Sequence, residues 1–208
     1  MTKPTAALLF LGLTGCAAQL KYVDRWPLKE AAARAVRIDV TDERPADQGG
    51  DNPKAVGIAR GGYGNPTPFE NDDPLQLTRL VRQATADALH GAGVDAADGA
   101  TWVLRARVLK FWMDGYVGYA ADAEVQYDLV SPAGGVVWSQ RAKGHEAGAV
   151  FSFGAASDLL SAALAHLASD ANAQFRRDEF KAAMSDESYP ALPGGGGPRS
   201  GELRSSPR

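Results

Sequence analysis

Val117-Gly118-Tyr119-Ala120-Ala121-Asp122-Ala123-Glu124-Val125-Gln126-Tyr127-Asp128-Leu129 is the stretch whose reading decides the fold. Val117, Tyr119, Ala121, Ala123, Val125, Tyr127 and Leu129 fall on one face, with Asp122, Glu124, Gln126 and Asp128 on the other. A period of two with this contrast predicts a strand buried on one side and wet on the other. Upstream, Trp102, Leu104, Ala106 and Val108 alternate with Val103, Arg105 and Arg107, and Lys110 then interrupts an apolar run to Met113, the mark of a bulge or of a change of burial. Asp114-Gly115 reads as a two-residue hairpin turn. Downstream, Ser131-Pro132-Ala133-Gly134-Gly135 reads as a turn, and Val136 to Glu146 as a third strand with Trp138 inward and Ser139, Arg141, Lys143 and His145 outward. The outer faces carry opposite charges: Asp122, Glu124 and Asp128 can meet Arg141, Lys143 and Arg105 or Arg107. Each such cross-strand pair contributes about 0.2 to 1 kcal/mol. The favoured reading is a solvated, self-paired face, ahead of a binding surface for a charged partner.

Two helices complete the pattern. Asp73, Pro74 and Gln76 make an N-terminal signature, and Leu77, Leu80, Val81, Ala84, Ala88 and Leu89 follow at helical spacing, with Arg79, Arg82, Gln83 and Asp87 facing elsewhere. Gly91 or Gly93 ends this helix, and His90 near its end complements the helix dipole. A second helix is expected from about Ala155 to Arg177, with Leu159, Leu160, Ala163, Leu164, Leu167, Ala171 and Phe175 on its apolar stripe and His166 at the edge. Before them, Val36, Ile38 and Val40 alternate with Arg37, Asp39 and Thr41 in a first strand that stops at Asp42-Glu43-Arg44-Pro45. Ala55 to Ala59 can add a short one, and Gly61-Gly62-Tyr63-Gly64-Asn65-Pro66 opens an irregular segment. The expected fold is α+β: a mainly antiparallel sheet of four to five strands with two amphipathic helices packed on one face.

Chemistry-bearing motifs are sparse. Asp47 and Asp51 lie in a glycine-turned loop, but the spacing is not that of a calcium-binding EF-hand, and the glycines from Gly61 lack the following helix start that a phosphate loop needs. The chain has three histidines and one cysteine, and no serine elbow, zinc-binding His-Glu-x-x-His pair or Walker loop. The expectation is a non-enzyme with no catalytic residue, no cofactor and no metal site. A formal net charge of −3 gives no footprint for nucleic acid.

The address is better written than the task. Lys3, the apolar run Ala6 to Leu13 and the small residues before Cys16 form a secretory signal, and Leu13-Thr14-Gly15-Cys16 resembles the lipobox of a bacterial lipoprotein. The run is too short to span a bilayer, which takes about 20 apolar residues. Cleavage before Cys16 leaves 193 residues at a net charge of about −4, with the only cysteine of the chain consumed by diacylglycerol. The domain plan is a signal peptide over 1–15, a tether over 16–34, one α+β periplasmic domain over 35–182, and a disordered tail rich in proline and glycine over 183–208. Ala17 is not the aspartate that commonly retains lipoproteins at the inner membrane, so outer-membrane anchoring is expected.

Val36-Arg37-Ile38-Asp39-Val40-Thr41-Asp42-Glu43-Arg44-Pro45, Val56-Gly57-Ile58, the Leu75 to His90 helix with Gly93-Val94 behind it, and the strand carrying Leu104 to Val108 together resemble the YajG-like family of bacterial lipoproteins. More distantly, the element order is similar to that of the auxiliary lipoproteins of envelope lipid transporters and the amino-terminal domain of TolB. The resemblance implies a periplasm-facing lipoprotein and supplies no catalytic residue. The function expected is that of a non-enzymatic accessory or scaffolding lipoprotein of the cell envelope, whose partners are membrane lipid, through acylated Cys16, and an envelope protein. The alternative is a lipid- or partner-binding subunit of an envelope lipid transporter or of a cell-wall synthesis complex. A lipid carrier would need an apolar groove between sheet and helices, which Ala121, Ala123, Ala163 and Ala171 would either leave open or close.

Overall fold

A long strand with two usable edges organises the chain. The computed structural model describes residues 17–18, 20–26, 34–60, 66–115, 118–149 and 153–185. Strand β6 (Val103–Gly115) pairs antiparallel along its whole length with β7 (Tyr119–Val130), which pairs antiparallel with β8 (Val136–Gly148). The other edge of β6 is shared by two strands lying end to end. Strand β2 (Ala35–Asp42) runs parallel to Val103–Val108, and β3 (Ala55–Arg60) runs parallel to Met113–Gly115. Beyond β3 come antiparallel β4 (Pro66–Asn71) and then parallel β1 (Ala17–Ala18), while β2 takes the two-residue β5 (Asp95–Ala96).

The sheet is therefore mixed and eight-stranded, where the sequence predicted a mainly antiparallel one of four to five. Alternation reports which face is buried and says nothing of the neighbour's direction. The three hairpin-linked strands are antiparallel as expected. The first strand returns parallel because α1 (Gln76–Gly91) carries the chain back across the sheet before β6 begins.

Helices α1 and α2 (Phe153–Phe175) pack on each other and on one face of the sheet. A third, α3 (Asp178–Ala183), was absent from the sequence reading because six residues show less than two helical turns of periodicity. Its Phe180 is buried and meets Phe175 and Trp138 at ring separations of 5.0 and 4.8 Å. Tyr127 completes this aromatic cluster, edge-on to Phe175 at 5.2 Å, with its hydroxyl 3.0 Å from the Thr85 hydroxyl of α1. Burial is the main reason its phenol titrates well above the usual range.

Several boundaries differ from the sequence reading. The first helix starts at Gln76, after a turn in which Asp73 accepts from the Leu75 amide at 2.8 Å, so Asp73 organises the approach to the helix without capping it. It ends with Gly93 at φ +82°, the Val94 amide bonded to the Leu89 carbonyl and the Gly93 amide to that of His90, a Schellman arrangement. Asp114-Gly115 is not the hairpin turn: both residues pair within the ladder, with Ala120 and Tyr119. Gly115 is needed because a Cβ there would collide with the Tyr119 ring. Pro66, placed by the sequence in an irregular segment, and Pro68 lie within β4, where β1 pairs only with Glu70 and Asn71 and leaves the proline end without a second neighbour among the described residues. The bulge expected near Lys110 is present, between Val108 and Lys110 against β7. The leader, Cys16, residues 27–33 of the expected tether, the glycines within 61–64, Val117 and the tail from 186 onward lie outside the described residues.

Candidate functional site

The sequence singles out one residue, Cys16, and the described chain resumes immediately after it. Ala17 and Ala18 pair with Glu70 and Asn71 at the end of the sheet. The segment read as a tether then crosses the helical layer as a docked belt. Leu20 and Tyr22 belong to the hydrophobic core, the Lys21 amide donates to Ser161 of α2 at 3.2 Å, and the Arg25 guanidinium donates to Ser169 at 2.7 Å.

Asp87 fastens the belt. Its carboxylate accepts from the Tyr22 hydroxyl at 2.7 Å, the Arg25 amide at 2.8 Å and the Trp26 amide at 3.2 Å. The sequence reading placed Asp87 on the solvent side of α1; it is buried, because the belt supplies the donors that a buried carboxylate requires. Burial, then the bond to Asp87, pushes the Tyr22 phenol above its ordinary range. Only the tertiary arrangement reveals this role. Asp87→Ala is expected to cost about 2 kcal/mol, since it leaves two backbone amides and a phenol without their charged acceptor. Urea unfolding measures the cost, and limited proteolysis should find new cleavage within residues 20–26; an unchanged midpoint and cleavage pattern would refute the fastening.

A cleft of about 530 Å³ opens beside this belt, lined by Asp24, Trp26, Gln83, Asp87, His90 and Asp95 among others. Its polar groups are largely engaged: Gln83 donates to Asp24 at 3.0 Å, and His90 Nδ1 lies 3.3 Å from Asp95 Oδ1. His90 thus reaches across the end of α1 to Asp95. Among the described residues no group of three or more His, Cys, Asp or Glu is placed to hold a metal ion.

The outer face of the sheet, which no helix among the described residues covers, holds the other charged array. Arg107 bonds Asp128 at 2.9 Å and approaches Glu43 at 3.6 Å; Lys110 and His145 both reach Asp122 at 2.8 Å; Arg141 and Lys143 flank Glu124 at 2.6 and 3.6 Å. Partial burial opposes ionisation of Asp122, yet its bonds from Lys110 and His145 prevail and hold its pKa below the usual carboxylate value. Charges of both signs alternate and satisfy one another, which is the self-paired surface the sequence suggested.

The inner side is closed. Ala121, Ala123, Ala163 and Ala171 are all buried, and α2 lies so near β8 that its backbone touches Gly144. The groove that a lipid carrier would need at these alanines is filled by packing. His166 is half exposed, and its Nδ1–H donates to the His145 carbonyl at 2.7 Å, while Asp170 accepts from the Lys143 amide at 2.9 Å. The helix thereby occupies backbone groups on the free edge of β8, which would otherwise invite strand addition.

These features define an α+β domain with a docked amino-terminal segment. No family model matches the chain, and no curated protein matches it. Solved structures do. A Xanthomonas campestris protein of the DUF330 family is similar at 16% identity and a TM-score of 0.50, over 73% of this chain and 88% of its own. That likeness shows a shared fold. An Acinetobacter baumannii minor lipoprotein aligns at 10% identity and a TM-score of 0.42, over 69% of this chain and 92% of its own. A protein crystallised as the PelC dodecamer of Paraburkholderia phytofirmans aligns at 16% identity and a TM-score of 0.35, over 67% and 92%. Among the described residues no helix is long and apolar enough to cross a membrane.

Proposed function

We propose that this chain is a non-enzymatic accessory lipoprotein of the bacterial envelope, held by acylated Cys16 with its domain in the periplasm. The observation that carries the reading is the lipobox-like Leu13-Thr14-Gly15-Cys16 directly followed by a chain that enters a folded sheet at Ala17. Acyl chains contribute about 0.8 kcal/mol per buried methylene, so a multiply acylated cysteine would hold the domain at a membrane. Ala17 after the cysteine favours the outer membrane. The YajG-like resemblance fits this reading and adds no chemistry to it. Radioactive palmitate should label the wild type and spare Cys16→Ala; equal labelling of the two would refute the anchor.

Of the alternative roles, partner binding fits the geometry better than lipid carriage. The packed interior at Ala123, Gly144 and Ala163 leaves no path for an acyl chain there.

A further inference from the structure

We infer that the domain meets lipid headgroups along its β1–β4 edge, at the end of the sheet marked by Thr67, and carries the opposite corner, at Val136 and Val137 of β8, away from the membrane. The inference rests on the acylation of Cys16 proposed above and adds an orientation to it. Its basis is how little chain separates anchor and fold. Consecutive Cα atoms are about 3.8 Å apart, so Cys16 lies one such step from Ala17, which is paired with Glu70. A lipoprotein on a loose tether would tumble freely. Here the belt removes that freedom, because Leu20 and Tyr22 are in the core and Asp87 holds residues 22, 25 and 26.

Direction follows from register. Strand β1 runs parallel to β4, with Ala17 beside Glu70 and Ala18 beside Asn71, so the amino-terminal end of β1 points toward the Thr67 end. Thr67 lies in one row with Ala59, Gly115, Tyr119 and Gly148 across the sheet. Val136 lies in the row of Val130 and Val103 at the other end. At about 3.3 Å per residue and 4.8 Å per strand, Val136 is roughly 40 Å along and 20 Å across from Thr67. A surface touching the anchor cannot also touch that corner unless the sheet lies flat on it.

The acylated full-length protein, reconstituted in vesicles of phosphatidylethanolamine and phosphatidylglycerol, tests this. Acylation consumes the native thiol, so exposed Thr67→Cys or Val137→Cys each carries a single fluorophore. A quencher fixed at the lipid headgroup should lower emission several-fold at position 67 and leave position 137 unchanged. A flexible Gly/Ser insertion of about twenty residues between Cys16 and Ala17 should erase the contrast. Equal quenching at both positions, none at 67, or a contrast that survives the insertion overturns the orientation. Mass spectrometry of the same samples separates the two readings: an acylated Cys16 leaves the anchor standing, and an unmodified one overturns both.

Discussion

Arg44→Ala is expected to lower unfolding free energy by about 3 to 5 kcal/mol, the range for breaking a buried ion pair by removing one partner. Strands β2 and β3 lie end to end on one edge of β6, and the ladder is interrupted between Asp42 and Gly57. Arg44 occupies the interruption with its side chain fully buried. Its Nε and Nη2 donate to the two oxygens of Asp42 at 2.9 and 2.8 Å, and its Nη1 donates to the carbonyls of Ala55 at 2.7 Å and Phe111 at 3.2 Å. The guanidinium replaces the amides that an unbroken strand would offer. Truncation leaves the Asp42 carboxylate with only the amide of residue 44, at 3.2 Å, and deprives the carbonyls of Ala55 and Phe111 of the guanidinium. Urea denaturation gives the number, and Arg37→Ala is the comparison, since the exposed Arg37–Asp39 pair should contribute less than about 1 kcal/mol. Asp42→Ala should cost less when added to Arg44→Ala than to the wild type, because the two share one interaction. A loss at Arg44 no larger than that at Arg37 would overturn this account.

Arg44 also shows where sequence reading stopped. Arg44-Pro45 reads as the end of a strand, which is true, but an arginine beside Asp42 and Glu43 reads as surface. Its burial depends on the carbonyls of residues 55 and 111, which no local pattern announces. Asp87 was misplaced for the same reason, its partners lying more than sixty residues upstream. The strands β6, β7 and β8 were legible because one face is apolar and the other charged over more than ten residues each. Strand β4 was hidden by Pro66 and Pro68, tolerable only on a segment with a single neighbour. What the sequence suggests most directly about function, the lipobox-like Leu13-Thr14-Gly15-Cys16, concerns attachment and depends on no fold. How the chain from Ala17 is seated depends on the tertiary structure, and therefore appears only there.

Gly144→Ala is the second substitution expected to be costly, at about 3 kcal/mol, the upper end of ordinary overpacking. Alanine normally suits a strand better than glycine by roughly 0.5 to 1 kcal/mol, so the conformational term alone favours the change. Packing reverses the sign. A Cβ at position 144 would lie 2.5 Å from the Leu167 amide nitrogen and nearer still to the Ala163 carbonyl oxygen. Both are helix backbone, which has no rotamer to yield. Helix α2 would have to rise from β8, yet His166 and Asp170 bind it to His145 and Lys143, the two residues flanking Gly144. The lift would stretch those bonds and loosen the contacts of Leu160, Leu164 and Leu167. The effect should therefore appear as lost stability together with faster amide exchange along the edge of β8. Gly148→Ala on the same strand is the control, because its new methyl meets only the flexible end of Leu159 at 3.4 Å and should be nearly neutral. Similar stabilities for the two variants would mean that α2 does not rest on β8 through this glycine.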